Sequence, residues 1–331
     1  MSVETIISDW KKKQFRPIYW LEGEEEYFID KAVNYAEHHI LTEAEASFNL
    51  SIFYGKDANW ADILNACRRY PMFAERQVVL LKEAQQMKDV EKLEPYMENP
   101  LASTILVVSY KDKKLDARKK FTKLVKEKGV VISTKKLYDR DIPAWTQDMV
   151  HAKGLSITPK GLALLADHIG NDLSRIENEI EKLSVNLGKR TQINEDDIER
   201  YIGVSKEFNV FELQSAIASR DLARSIRIVQ YFESNPKANP IQLVLPSLYG
   251  FFSKVYMIQA ISGDDRTVAA QIGVNPFFVK DYIQAYRIYG TNGIENILML
   301  LHHYNLKSIG VGNGSADHGS LMKEMVIKMM S

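Results

Sequence analysis

Two hydrophobic periods alternate along the first 137 positions. Apolar runs at residues 17–21, 49–54, 77–81, 103–110 and 130–133 read as strands, and amphipathic segments at 2–13, 27–40 and 60–69 read as helices. Runs as continuous as Ile105-Leu106-Val107-Val108 leave no polar face, so the pattern predicts a mostly parallel sheet covered by helices.

After Leu137 the strand signal stops. Pro143 in a first turn starts a helix over 142–151, and Thr158-Pro159, Asp172 and Asn194 open three more. Gly154, Gly170, Gly188 and Gly203 close the four. From Phe208 the spacing is helical throughout, over 210–217, 223–232, 241–261, 279–289, 294–306 and 321–330, with a flexible loop expected at 313–319. The expected fold class is therefore α/β plus all-α. It divides into a parallel-sheet domain at 1–137, a small helical domain at 138–205 and a helical bundle at 206–331.

Length agrees with that division, since 331 residues exceed one comfortable core. The 43 basic residues balance 43 acidic ones, which argues against a protein whose main affinity is for a phosphate backbone. The single cysteine, Cys67, excludes an internal disulfide and a cysteine-based zinc site and suggests a reducing compartment. No apolar stretch is read as membrane-spanning and no signal-peptide core precedes residue 13, so the expected location is the cytoplasm, with no membrane partner.

The strand, loop and helix at 17–40 have the setting of a phosphate-binding loop without its chemistry. Such a loop needs glycines, a lysine and a hydroxyl. This one reads Glu22-Gly23-Glu24-Glu25-Glu26, whose carboxylates suit the helix N-terminus themselves and would repel a nucleotide. The strand Val78–Leu81 runs into Lys82-Glu83, where an AAA+ ATPase carries two acidic residues. Both features indicate a nucleotide fold that holds no nucleotide, and no cofactor is expected. Arg175 occupies the place of a nucleotide-sensing arginine and is expected to pair with Glu179 instead.

Between Arg68 and Ala84 lies the most informative stretch. Tyr70-Pro71-Met72-Phe73 puts an apolar tip at a helix–strand junction, where polar residues are usual. One reading makes Met72 and Phe73 a plug for a partner's pocket; the other folds them back into the protein's own core. Residues 111–128 are strongly basic. They read as a solvated helix with Leu115, Phe121, Leu124 and Val125 buried beneath, or as a weak DNA contact.

Two rival functions remain open. Residues 267–280 have a helix, a glycine turn and a second helix, the layout of a DNA-binding helix-turn-helix. The second helix opens on Pro276-Phe277-Phe278 with Lys280 its only early cation, a poor surface for base edges. An atypical ATPase is the enzymatic alternative. The seven histidines supply no metal site, because His38-His39 and His302-His303 are adjacent pairs that point to different helix faces.

In order along the chain, residues 19–28, Pro71-Met72-Phe73-Ala74-Glu75-Arg76-Gln77-Val78-Val79-Leu80, 114–118, 172–183 and 273–280 resemble the delta subunit of the bacterial DNA polymerase III clamp loader. The resemblance implies an AAA+-like domain without ATPase activity, a helical lid, and a C-terminal collar. The collar would assemble with ATP-binding gamma/tau subunits and delta-prime. It further implies that Met72 and Phe73 enter a pocket of the ring-shaped sliding clamp, the beta subunit, and favour its open form, with Tyr70, Pro71 and Arg76 shaping their mount. Contact with primed DNA would be indirect or weak, and the protein would be a non-catalytic part of a nucleotidyltransferase complex. Family members often carry leucine where this chain has Met72, a change that keeps the volume.

Overall fold

A computed structural model describes residues 2–311 and 317–331. The chain forms two compact units, 1–141 and 142–331. In the first, helices and strands alternate as α1 (Val3–Lys11), β1 (Ile18–Gly23), α2 (Glu26–His39), α3 (Glu43–Asn49), β2 (Leu50–Tyr54), α4 (Trp60–Arg68), β3 (Gln77–Lys82), α5 (Glu94–Glu98), β4 (Thr104–Lys111), α6 (Lys120–Lys128) and β5 (Val130–Thr134). The strands make one parallel sheet in the order β2-β3-β4-β1-β5.

Alternation within each strand divides the core into two layers. Ile18, Trp20, Val79, Leu81, Leu106 and Val108 pack with residues of α4, α5 and α6. Tyr19, Leu21, Val78, Leu80, Ile105 and Val107 pack with α1 and α2. Burial on both faces is what the continuous apolar runs require, and a parallel sheet covered by helices on each side satisfies it.

Gly23 closes β1 for a steric reason. Its φ is +125°, and a Cβ there would lie 2.2 Å from the carbonyl oxygen of Thr134. The glycine thus lets β1 and β5 approach, a role in the sheet and not at a phosphate.

The second unit contains α7 (Ile142–Ala152), β6 (Ser156–Ile157), α8 (Pro159–Ile169), α9 (Leu173–Asn186), β7 (Gln192–Ile193) and α10 (Glu195–Ile202). It continues with α11 (Val210–Ala218), α12 (Leu222–Ser234), α13 (Ile241–Met257), α14 (Asp265–Ile272), α15 (Val279–Ser308) and α16 (His318–Met330). Thr158, Asp172 and Asn194 cap α8, α9 and α10 through side-chain oxygens, as their positions before the helices dictate. Helices α11, α12, α13, α15 and α16 share a core that includes Leu213, Phe232, Phe252, Leu301 and Met325, while α14 packs in a separate cluster with Ile258 and Val279. Gly290, at φ 60° and ψ 178°, interrupts α15 between the two segments expected from the pattern.

Several expectations are corrected. Helix α3 was missed, although Thr42 and Glu45 form a reciprocal capping box at its start. The basic helix occupies only Lys120–Lys128, because Asp116 turns the chain before it by accepting bonds from the Arg118 backbone and guanidinium. Strands do not stop at Leu137: β6 and β7 pair in parallel, each too short for any periodicity to mark. Within the loop expected at 313–319, residues 313–316 lie outside the described residues, Asp317 caps α16, and His318 and Gly319 begin it. The stretch Ile241–Ala260 is long and apolar enough to cross a membrane by composition, contrary to the sequence reading. In the structure its Ile241, Val244, Leu245, Leu248, Phe251, Phe252 and Val255 are buried in the helical core, which accounts for the apolarity.

Replacing Gly23 with alanine should cost at least about 2 kcal/mol, since both the positive φ and the contact with Thr134 oppose a side chain. Urea unfolding would show this as a lower midpoint at unchanged slope; an unaltered midpoint would mean that β1 and β5 can separate at no cost.

Candidate partner-binding loop and the closed end of the sheet

The loop between α4 and β3 projects at the amino end of the sheet. Phe73 is 93% exposed, Tyr70 77% and Met72 54%, so the apolar tip stands outside the core. Pro71 and Arg76 are half-buried behind it, and the Arg76 guanidinium lies over the Phe15 ring at 4.8 Å from the centroid. Phe73 also has φ +55°, a region that a bulky side chain enters only when its surroundings impose it.

Those surroundings are three side-chain anchors. Buried Asn49, the last residue of α3, donates to the Met72 carbonyl oxygen at 2.9 Å and accepts from the Met72 N–H at 2.7 Å. Its amide thereby fixes the backbone immediately before Phe73. Arg69 donates to Ser51 Oγ on β2 at 2.9 Å. The Gln77 amide nitrogen lies 2.7 Å from the Arg69 carbonyl, 2.9 Å from that of Ala66 and 2.8 Å from Thr104 Oγ1, closing the end of α4. Sequence reasoning named the tip and missed Asn49. A lone asparagine at a helix–strand junction carries no signal that it will reach a loop 23 residues away.

At the opposite end, where parallel sheets of this kind receive nucleotides, three of the backbone donors after β1 are already used. The Glu24 N–H donates to the Thr134 carbonyl at 3.3 Å, the Glu25 N–H to Thr134 Oγ1 at 3.2 Å, and the Tyr27 N–H to Glu25 Oε1 at 3.3 Å. Glu22 does not sit at the helix N-terminus. Buried, it accepts from the Leu115 N–H and from Ser133 Oγ, each at 2.9 Å. Lys111 at the end of β4 reaches Asp30 and Glu83 at 2.9 Å and Glu26 at 3.2 Å. Burial disfavours its charge, but the hydrogen bonds to Asp30, Glu83 and Glu26 outweigh it and hold the ammonium group above its ordinary pKa. Lys82 pairs with Glu37 of α2 at 2.6 Å. This end of the sheet is therefore cross-linked by its own side chains.

Other sequence candidates fall into ordinary roles. Arg175 does not pair with Glu179: it lies 3.3 Å from His168 Nε2, while Glu179 pairs with Lys182. Burial and Arg175 together lower the His168 pKa. Val268, Ala269, Ile272 and Val279 pack around Ile258, and the helix after Gly273 begins only at Val279, leaving Phe277 exposed. Burial pushes the Cys67 thiol up to about 12, which leaves it protonated and unreactive. Among the described residues, no three His, Cys, Asp or Glu side chains gather as a metal-binding group.

Residues 19–135 match the model of the family described as DNA polymerase III, delta subunit. The DNA polymerase III subunit delta of Bacillus subtilis (strain 168) is 23% identical over 331 residues, covering 97% of this chain and 94% of the relative. The probable DNA polymerase III subunit delta of Aquifex aeolicus (strain VF5) is 21% identical over 322 residues, covering 90% and 89%. Among solved structures, the Bacillus subtilis DNA clamp loader delta protein superposes with a TM-score of 0.54 at 23% identity, covering 99% of both chains. The resemblance to DNA polymerase III delta subunits thus extends along the chain, and the fold is that of the clamp loader delta protein.

Replacing Asn49 with alanine should lower stability by about 1–3 kcal/mol, because it strands the Met72 N–H and carbonyl together. Asn49→Asp should fall short of the wild type too, since a carboxylate accepts from the N–H and repels the carbonyl. Chemical unfolding of both variants checks this; wild-type stability in each would mean that the loop is held by something else.

Proposed function

We propose that this protein is the delta subunit of a DNA polymerase III clamp loader, a non-ATPase subunit that binds the ring-shaped sliding clamp and opens it for loading onto primed DNA. The observation that carries this reading is the Met72-Phe73 tip. It is apolar, exposed and set on a backbone that Asn49 fixes from both sides. An anchor ordered before it binds loses little entropy on docking, which is how a small contact can hold tightly. Tyr70 and Pro71 would flank it, and Arg76 would brace it against Phe15.

The closed end of the sheet supports the non-catalytic half of the reading. Thr134 and Glu25 take the amides that a phosphate would need, and carboxylates surround Lys111. The protein then acts by binding alone, as an accessory subunit within the polymerase complex. Opening a ring by binding requires a better fit to the open form, because a ligand shifts an equilibrium only by its differential affinity. The energy source is the ATP state of neighbouring gamma/tau subunits, joined together with delta-prime through a collar at 206–331. Residues 1–137 form the clamp-binding domain and 138–205 the lid. The location is the cytoplasm, and contact with primed DNA is indirect or weak.

Met72 and Phe73 should each contribute roughly 1.5–3 kcal/mol when buried in a partner pocket. Buried anchors of this kind commonly cost at least about 2 kcal/mol when truncated. The double change Met72→Ala, Phe73→Ala should weaken binding to the sliding clamp by about two to four orders of magnitude, allowing for coupling between neighbours. The melting temperature should barely move. Surface plasmon resonance against the clamp, with a thermal melt of the same variant, tests both; wild-type affinity would end the proposal. A steady-state assay of the isolated chain with magnesium ATP should release no phosphate above background, and sustained turnover would contradict the non-catalytic reading.

A further inference from the structure

A second feature lies far along the sequence from the exposed tip, in the unit 142–331. A cleft of about 510 Å³ is lined by Lys160, Lys206, Glu207, Phe208, Glu212, Arg224, Arg227 and Ile228. That volume is in the range of small-ligand sites and would admit a nucleotide-sized group. Four cationic side chains face it, contributed by α8, by the segment before α11 and by α12.

The charges are not equally committed. Buried Glu212 is shared by Lys160, at 2.5 Å, and Arg224. Lys206 reaches Asp196 at 2.5 Å and Glu199 at 3.7 Å. Asp281 also faces this group: burial raises its pKa, the nearby Glu212 carboxylate raises it further, and the hydrogen bond to Ser215 and the charge of Arg224 oppose the rise. Arg227 is exposed and has no hydrogen-bond or ion-pair partner among the described residues. One wall is apolar, with Phe208 stacked on Tyr231 at a centroid distance of 5.0 Å and an interplanar angle of 20°.

We propose that this cleft binds a phosphate group, with Arg227 as the side chain that meets it first and Lys206 completing the contact. A guanidinium that spends nothing on internal pairing can give two parallel N–H donors to phosphate oxygens. Lys160 and Arg224, held in place by Glu212, supply fixed positive charge behind it. The aromatic wall suits a phosphate carried on a nucleoside unit, because a base offers a flat face. The shared chemistry is the phosphate, whether it is free or part of a nucleic-acid backbone.

The full-length protein, at low ionic strength, is titrated with inorganic pyrophosphate by calorimetry and with fluorescein-labelled oligothymidylate by anisotropy. Arg227→Ala should weaken binding at least about tenfold, Arg227→Lys should restore only part of it because an ammonium group cannot give the paired donors, and Lys11→Ala, an equal loss of charge elsewhere, should change it little. Because Arg227 has no hydrogen-bond or ion-pair partner among the described residues, the melting temperature of its variants should equal that of the wild type. Arg227-dependent oligonucleotide binding that pyrophosphate displaces assigns the cleft to a phosphodiester; Arg227-dependent binding of pyrophosphate alone assigns it to free phosphate. The proposal is overturned if neither probe binds, or if Arg227→Ala binds both as the wild type does.

Discussion

Burial of β1, β3 and β4 on both faces is the constraint on which the first unit is built. Ile18, Trp20, Val79 and Leu106 face one layer, while Tyr19, Leu21, Val78 and Val107 face the other. Strands so enclosed cannot shift register without moving apolar side chains between layers. Each connecting loop is therefore fixed to one end of the sheet or the other. The loop holding Met72 and Phe73 enters β3 and lies at the amino end; the loops leaving β1 and β4 lie at the carboxyl end.

The two ends have opposite chemistry. At the carboxyl end polar groups are turned inward on one another: Glu22 to Leu115 and Ser133, Lys111 to Glu26, Asp30 and Glu83, and Thr134 to the amides of Glu24 and Glu25. The amino end turns its apolar groups outward and holds them by backbone bonds from a buried asparagine. A fold suited to holding a ligand between its strand ends and helices has been closed at that site and opened at the other.

The second unit follows a different rule. Its helices are defined by caps and by the core around Leu213, Phe252 and Leu301, and its charged residues pair both along a helix, as Lys328 with Glu324, and between helices, as Lys323 with Glu233. The cleft by Arg227 departs from that pattern. There several cations converge on one space, and Arg227 has no partner among the described residues.

Much of this was legible in the chain because it rests on local rules. Continuous apolar runs read as doubly buried strands, capping residues marked α8, α9 and α10, and the loop Glu22-Gly23-Glu24-Glu25-Glu26 offered carboxylates where a phosphate loop has a lysine and a hydroxyl. The same reading missed α3 despite its capping box, and it extended α6 too far because lysines tolerate either conformation on a surface. It placed the apolar tip but left open whether Met72 and Phe73 faced inward or outward. That choice belongs to tertiary structure, since it depends on Asn49, Ser51, Gln77 and Thr104 meeting around one loop from separate elements. The Lys111 cluster and the Arg227 cleft are of the same kind: charges distant in sequence become neighbours only once the sheet and the helices have packed, and no periodicity along the chain records which of them will meet.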